Sequence, residues 1–207
     1  AGTIFHKSRT PLLKWFWLIF RMATSKTGVS IAEMQRELEI KDYKTMWVMA
    51  HKVRKAMADR DINYKLAGLV EIDESLFGPS STGKRGRGAK RKELVIVAVS
   101  VWVDSSGKEK PGFAHAFLAE DATANTIKDK KDALKLLPWT HRLIGNVKAI
   151  IAGPHRGVSG KHLQRYLSEI CYRFNRRFWG KQAFHRLLNA CVSTDTITRD
   201  QLMDKIC

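Results

Sequence analysis

Residues 69–74 read Leu-Val-Glu-Ile-Asp-Glu, and a basic run free of acids follows at 83–92. Apolar and acidic residues alternate through 69–74, so a strand there places Glu71 and Asp73 on one face and Ile72 and Glu74 on the other. Carboxylates in the middle of a strand cost stability unless something compensates them, and divalent cations are a common compensation. A basic loop close behind suits a phosphate-rich substrate. The spacing therefore points to metal-dependent chemistry on a polyanion.

The bulk properties agree. A chain of 207 residues holds one domain of moderate size, or a small domain beside a medium one. Its 44% hydrophobic content is that of a folded protein. The charge is not ordinary: 37 Lys and Arg against 20 Asp and Glu give +17, with a pI near 10.0. Such an excess at this size indicates a nucleic-acid partner. The cysteines, Cys171, Cys191 and Cys207, lack Cys-x-x-Cys spacing, which argues against a zinc ribbon or a disulfide framework within the chain. Reduced thiols fit a cytoplasmic protein. The apolar run at 15–20 is six residues long, too short for a membrane span or a signal-peptide core. The chain opens on Ala1 rather than Met, as a piece of a longer protein would.

The elements that must position Asp73 fall in two blocks. The first sixty residues read as helices: 12–22, aromatic-rich and apolar enough to be buried, then a helix opened by the capping box Ser30-Ile31-Ala32-Glu33, then 43 to about 57. Two helices joined by so short a turn, the second rich in Lys, Arg, His and Thr, describe a DNA-binding helix-turn-helix or, as the plainer alternative, an αα-hairpin with a solvated basic face. Lys44, Thr45 and His51 are the candidate DNA contacts on its second helix. From 66 the period changes to strands at 68–77, 93–103 and 112–118, with Asp104 in a turn. Helices resume at 122–136, 139–152, 161–173 and 181–191. From 141 to 189 ten Lys and Arg face a single acid, Glu169, which reads as a phosphate-tracking surface. The tryptophans read mostly as core, with Trp139 and Trp179 as alternative base-stacking residues.

Several segments resemble, in order, one group of bacterial insertion-sequence transposases. They are Gly2-Thr3-Ile4-Phe5-His6-Lys7, Lys14-Trp15-Phe16-Trp17, Val70-Glu71-Ile72-Asp73-Glu74, Gly83-Lys84-Arg85-Gly86-Arg87-Gly88, Leu137-Pro138-Trp139-x-His141-Arg142, Lys161-His162-Leu163-Gln164-Arg165-Tyr166-Leu167 and Tyr172-Arg173-Phe174-Asn175-Arg176-Arg177. The series spans about residues 2–190. The resemblance implies a DDE-superfamily enzyme with an RNase H-like core, in which acidic residues hold paired Mg²⁺ or Mn²⁺ ions for phosphodiester displacement. By the same resemblance Asp73 is the first metal-binding Asp, Asn146 the third ligand position and Lys148 a catalytic basic residue contacting a DNA phosphate. Arg85, Arg87, Arg91, Lys148, Arg176 and Arg177 are expected on nucleic acid. Glu71 and Glu74 are expected to flank or support the site rather than bind metal, and His141 and His155 to lie at helix ends or phosphates.

The family's second Asp ends a strand in a Thr-Asp-Gly context before the Pro-Trp-x-His segment, and this chain has no such motif there. Asp129 and Asp132 lie in the gap and read as solvated charges. The family also carries an upstream zinc ribbon, and this chain starts after it. The expectation is a mixed α/β protein: a helix-turn-helix region over 1–62, an incomplete RNase H-like domain with a three-stranded sheet over 63–192, and a tail over 193–207. Its function would be DNA cleavage and strand transfer, defective in this copy and with the metal ions not bound as a pair. The rival is a non-catalytic DNA-binding protein occupying transposon ends; a basic RNA-binding protein is disfavoured by the lack of an RRM or KH signature. The expected partners are double-stranded DNA at transposon ends and, as an open alternative, further copies of the chain; no membrane is expected.

Overall fold

The computed structural model describes residues 2–78, 92–119, 137–155 and 157–203. Their architecture is mixed α/β, with seven α-helices and a three-stranded antiparallel sheet among the described residues. The chain divides into two compact units, 1–64 with 168–207, and 65–167. The C-terminal helices group with the first 64 residues.

The first unit is helical. Helix α1 (Leu12–Thr24) buries Trp15, Leu18, Ile19 and Met22 and leaves Leu13, Trp17 and Phe20 on the surface. It is therefore amphipathic rather than buried throughout, as its apolar composition suggests. Helix α2 (Ile31–Glu37) opens on the capping box, with Ser30 Oγ accepting from the Glu33 amide at 3.5 Å. The Glu33 carboxylate pairs with Arg21. In the connection to α3 (Tyr43–Asp61), Glu39 adopts a left-handed φ of 50°, and Lys14 donates to the Leu38 carbonyl at 2.6 Å. Asp42 caps α3 by accepting from the amides of Lys44 and Thr45. These bonds hold its carboxyl below the usual range, the Lys44 amide most of all.

Helix α3 is the centre of this unit. Met46, Met49, Ala50, Val53, Ala56 and Met57 are buried, and so are the polar residues His51, Arg54 and Asp61. The last helices complete the unit: the second half of α5 (Gly160–Asn175), a 3₁₀ turn at Arg177–Gln182, α6 (Ala183–Ser193) and α7 (Arg199–Met203). Tyr172, Leu187, Ala190 and Cys191 join the core formed by α1 to α3. Two ion pairs fasten this closure: Arg54 Nε on Glu169 at 2.7 Å, and Arg176 Nη1 on Asp61 at 2.6 Å.

The second unit carries the sheet, in the order β1 (Leu69–Phe77), β2 (Glu93–Val103) and β3 (Glu109–Ala119). Glu71 pairs with Val99 and Asp73 with Val97, and these continue to Ala114 and Ala116 on β3. Alternation puts Glu71, Asp73, Val95, Val97 and Val99 on one face, over which α4 (Pro138–Ala152) packs. Ile72, on the other face, is half exposed. Gln164, on the first half of α5, accepts from the Leu118 amide at 2.9 Å and donates to the Ala116 carbonyl at 3.0 Å. Its side-chain amide thus satisfies backbone groups on the outer edge of β3, as a neighbouring strand would.

The tryptophans depart from the core reading. Only Trp15 is fully buried; Trp17, Trp102 and Trp179 are exposed, while Trp47 and Trp139 are half-buried. Cys171 and Cys191 are buried and in no disulfide among the described residues, and Cys207 lies outside them. No described helix is long and apolar enough to cross a membrane.

Candidate functional site

The two acids on the covered face of β1 have different surroundings. Glu71 is 4% exposed, and its Oε2 accepts from the amides of Trp139 at 2.9 Å and Thr140 at 2.8 Å and from the Thr140 hydroxyl at 3.1 Å. These are donors at the start of α4, where Pro138 occupies the first turn and Leu137 offers no side-chain cap. A carboxylate from the sheet therefore does the work of an N-cap residue, satisfying amides the helix leaves unpaired and meeting the positive end of its dipole. For Glu71 this hydrogen bonding is the compensation that the strand pattern suggested a cation would supply.

Asp73, two residues on, has no such set of donors. Its Oδ2 lies 3.7 Å from Nε2 of His141, beyond hydrogen-bonding distance and within reach of an ion pair when the imidazole is protonated. Both side chains keep some exposure, 18% for Asp73 and 28% for His141. His141 is one residue beyond the pair that Glu71 caps, so Glu71 fixes the helix end that presents the imidazole. Lys148, exposed, follows His141 by seven residues, a rotation of only about 20° on a helix. Its Nζ sits 5.6 Å from the Phe77 ring centroid, so this flank of α4 runs along β1.

Asn146 is exposed and five residues beyond His141, a rotation of about 140°. It lies on the other flank. The flank turned to Asp73 carries His141, which sits in the first turn of α4 as a helix-end residue, and Lys148. His155 packs edge-on against Tyr166, with ring centroids 4.6 Å apart.

The candidate nucleic-acid contacts separate by burial. Lys44 and Thr45 are exposed in the first turn of α3, although the Thr45 hydroxyl also bonds to Asp42. His51 is fully buried against the Trp47 ring, 4.0 Å between centroids, and cannot touch DNA. Arg176 is also buried: it pairs with Asp61 and lies 3.5 Å from the Tyr172 ring centroid, which makes it a core cation rather than a phosphate contact. Arg177 is half-buried over Phe174. Arg85, Arg87 and Arg91 lie outside the described residues, as do Asp129, Asp132 and the expected helix at 122–136. Of the ten basic residues between 141 and 189, Arg165 and Arg176 face inward, so that surface is less basic than its composition.

Residues 122–175 match the ISXO2-like transposase domain, about a quarter of the chain. The match supports a DDE-superfamily insertion-sequence transposase. No curated protein and no solved structure matches the chain. The transposase segment includes the Pro138–His141 helix start that meets Glu71 and Asp73, the Gln164 edge cover, and Glu169, Tyr172 and Asn175 of the closing helix.

The superfamily uses divalent ions, so the fit of the residues matters. Glu71 is occupied by the helix cap, Glu74 points to the opposite face, and Asp73 stands beside an imidazole. Among the described residues no group of three His, Cys, Asp or Glu that could hold a metal ion is formed.

Three roles were hidden from sequence reading: the cap by Glu71, the approach of His141 to Asp73, and the pairing of Arg54 with Glu169. Each joins residues far apart in the chain. The one available hint was Pro138 at a helix start with no capping side chain before it.

Proposed function

We propose that the chain is a copy of a DDE-type insertion-sequence transposase that binds duplex DNA at transposon ends and is defective in cleavage and strand transfer. What supports this reading is the contrast on β1, in a chain whose residues 122–175 match a transposase domain: Asp73, by resemblance the first metal ligand, is left outside the helix cap that consumes Glu71, the nearest carboxylate on the same face. The sheet with α4 over its Asp73 face is read as an incomplete RNase H-like core. Among the described residues β1 has β2 on one edge and no strand on the other, the side at which a strand bearing the second Asp would pair. Asp73 then offers at most one Mg²⁺ or Mn²⁺ a carboxylate, and Asn146 neutralises no charge.

Recognition of the end sequence falls to the first unit. Its α2–α3 pair is read as a helix-turn-helix whose contacts come from the first turn of α3, where Lys44 and Thr45 are exposed. Base contacts by the N-terminal residues of a recognition helix are the usual geometry of such motifs. Lys148, Arg177 and the 85–91 arginines supply phosphate contacts. The defective reading shades into the rival, a protein that occupies ends without cutting them. What separates them is residual chemistry at Asp73.

Equilibrium binding to duplex DNA at several salt concentrations tests the reading. Counterion release predicts an affinity that falls by about 10³-fold or more between roughly 50 and 200 mM salt. Lys44→Ala with Thr45→Ala should reduce the preference for end sequence over random duplex. A salt-independent affinity would contradict it.

A further inference from the structure

Between α5 and α6 the 3₁₀ turn Arg177–Gln182 places a run of aromatic and basic residues on the surface of the first unit. Phe178 is 64% exposed and Trp179 38%. Trp179 is also where the backbone leaves the helical region, at φ −112° and ψ 41°, which ends one helix and starts the next. Each ring is backed by a guanidinium: Arg177 lies 4.3 Å from the Phe178 centroid and Arg186 4.8 Å from that of Trp179. Both cations are held in place. Arg177 Nη1 donates to the Phe174 carbonyl at 2.7 Å, and Arg186 Nε donates to Gln182 Oε1 at 3.0 Å. Lys181, between the two in sequence, is exposed.

From the proposed binding of DNA we infer a second, distinct contact: Phe178 and Trp179 form a stacking platform for unpaired bases of a single DNA strand, with Lys181, Arg177 and Arg186 holding the neighbouring phosphates. The inference rests on the DNA-binding reading and adds a substrate form to it. Exposed aromatic rings cost free energy in water, and a base recovers it by covering their open surface. A guanidinium behind each ring adds attraction for a polyanion at the same spot. No Asp or Glu occurs between 170 and 194, so nothing local opposes phosphate. Paired bases within a duplex have no free face, which restricts the platform to unpaired strands such as a frayed or nicked end. A protein partner would have to bring both an apolar surface and acids.

The test compares the full chain with the Phe178→Ala/Trp179→Ala variant, at one salt concentration, on an oligothymidine of about 15 nucleotides, near the upper site size of single-strand modules, and on a duplex of equal length. Single-strand affinity should fall by about tenfold or more, as loss of one or two stacked bases requires. Duplex affinity should stay within about twofold, because phosphate contacts elsewhere carry it. Phe178→Tyr/Trp179→Phe should retain single-strand binding, and an unchanged melting temperature in both variants shows the fold is intact. Unchanged single-strand affinity in the alanine variant would assign the rings to a protein partner and overturn the proposal; so would an equal loss on both substrates. Absence of duplex binding by the unmodified chain would instead overturn the DNA reading, and the single-strand arm would still decide this site.

Discussion

Both units bury carboxylates, and they satisfy them differently. In the helical unit Glu169 and Asp61 meet arginines at 2.7 and 2.6 Å, and Asn175 adds a bond to Asp61 at 2.9 Å. In the sheet unit Glu71 meets the start of a helix with three donors, while Asp73 faces an imidazole across 3.7 Å. A carboxylate whose partners sit at contact distance is part of the scaffold; one held short of contact, and still reached by water, is available for chemistry. By this measure three of the four acids are structural. Asp73 is the exception.

The comparison breaks most visibly at Glu169. Replacing it with Ala leaves Arg54 charged in a site with no exposure, and removal of one partner from a buried pair costs about 3–5 kcal/mol. The helical unit should melt at a markedly lower temperature, and a change close to zero would show that the pair is not part of what closes it.

The next effect is alkaline. Burial pushes the Tyr172 hydroxyl up to about 12 from 10.0, and the Cys191 thiol up to about 12 from 9.0. Above pH 9 the unfolded chain sheds these protons while the folded chain keeps them, so the unfolded state binds fewer protons and stability falls as pH rises. The contribution is whole below about pH 9 and is lost between about 9 and 12, at about 1.4 kcal/mol per pH unit for each group. Urea midpoints measured from pH 8 to 11 should drop, and Cys191→Ala should flatten the first part of that drop.

The pair on β1 sharpens the contrast at smaller scale. Glu71→Ala removes the cap of α4 and leaves buried amides unpaired, a cost of about 1–3 kcal/mol. Asp73→Asn should move stability by no more than about 0.5 kcal/mol, as a change away from structural contacts does. Mn²⁺ titration should find at most one weak site, lost in Asp73→Asn. Two tight sites would mean that a further carboxylate outside the described residues reaches Asp73.

Much of this was legible in the chain. The alternation at 69–74 predicts which side chains share a face, and the register shows Glu71 and Asp73 together on the side that α4 covers. The β2 limits and the Ser30 capping bond also follow from local signals, which depend on neighbours only a few residues away. The failures share a cause. Helix α3 carries Lys52, Arg54 and His51 and reads as a basic surface, but Arg54 finds Glu169 115 residues later and His51 packs on Trp47 in the interior. Arg176, in a basic stretch, finds Asp61 across the same interval. A charge count cannot tell an inward cation from an outward one when its partner is distant. The closure of the first unit by the last helices and the Glu71 cap, 68 residues from its amide, are hidden in the same way.

The central claim is tested most directly by incubating the unmodified chain with transposon-end duplex DNA and Mg²⁺ under conditions where binding is saturated, then separating the strands to look for cleavage. The account predicts bound DNA and intact strands, because two-ion phosphoryl transfer needs a second carboxylate that the described site does not provide. Robust Mg²⁺-dependent nicking, abolished by Asp73→Ala, would contradict it and show a working transposase.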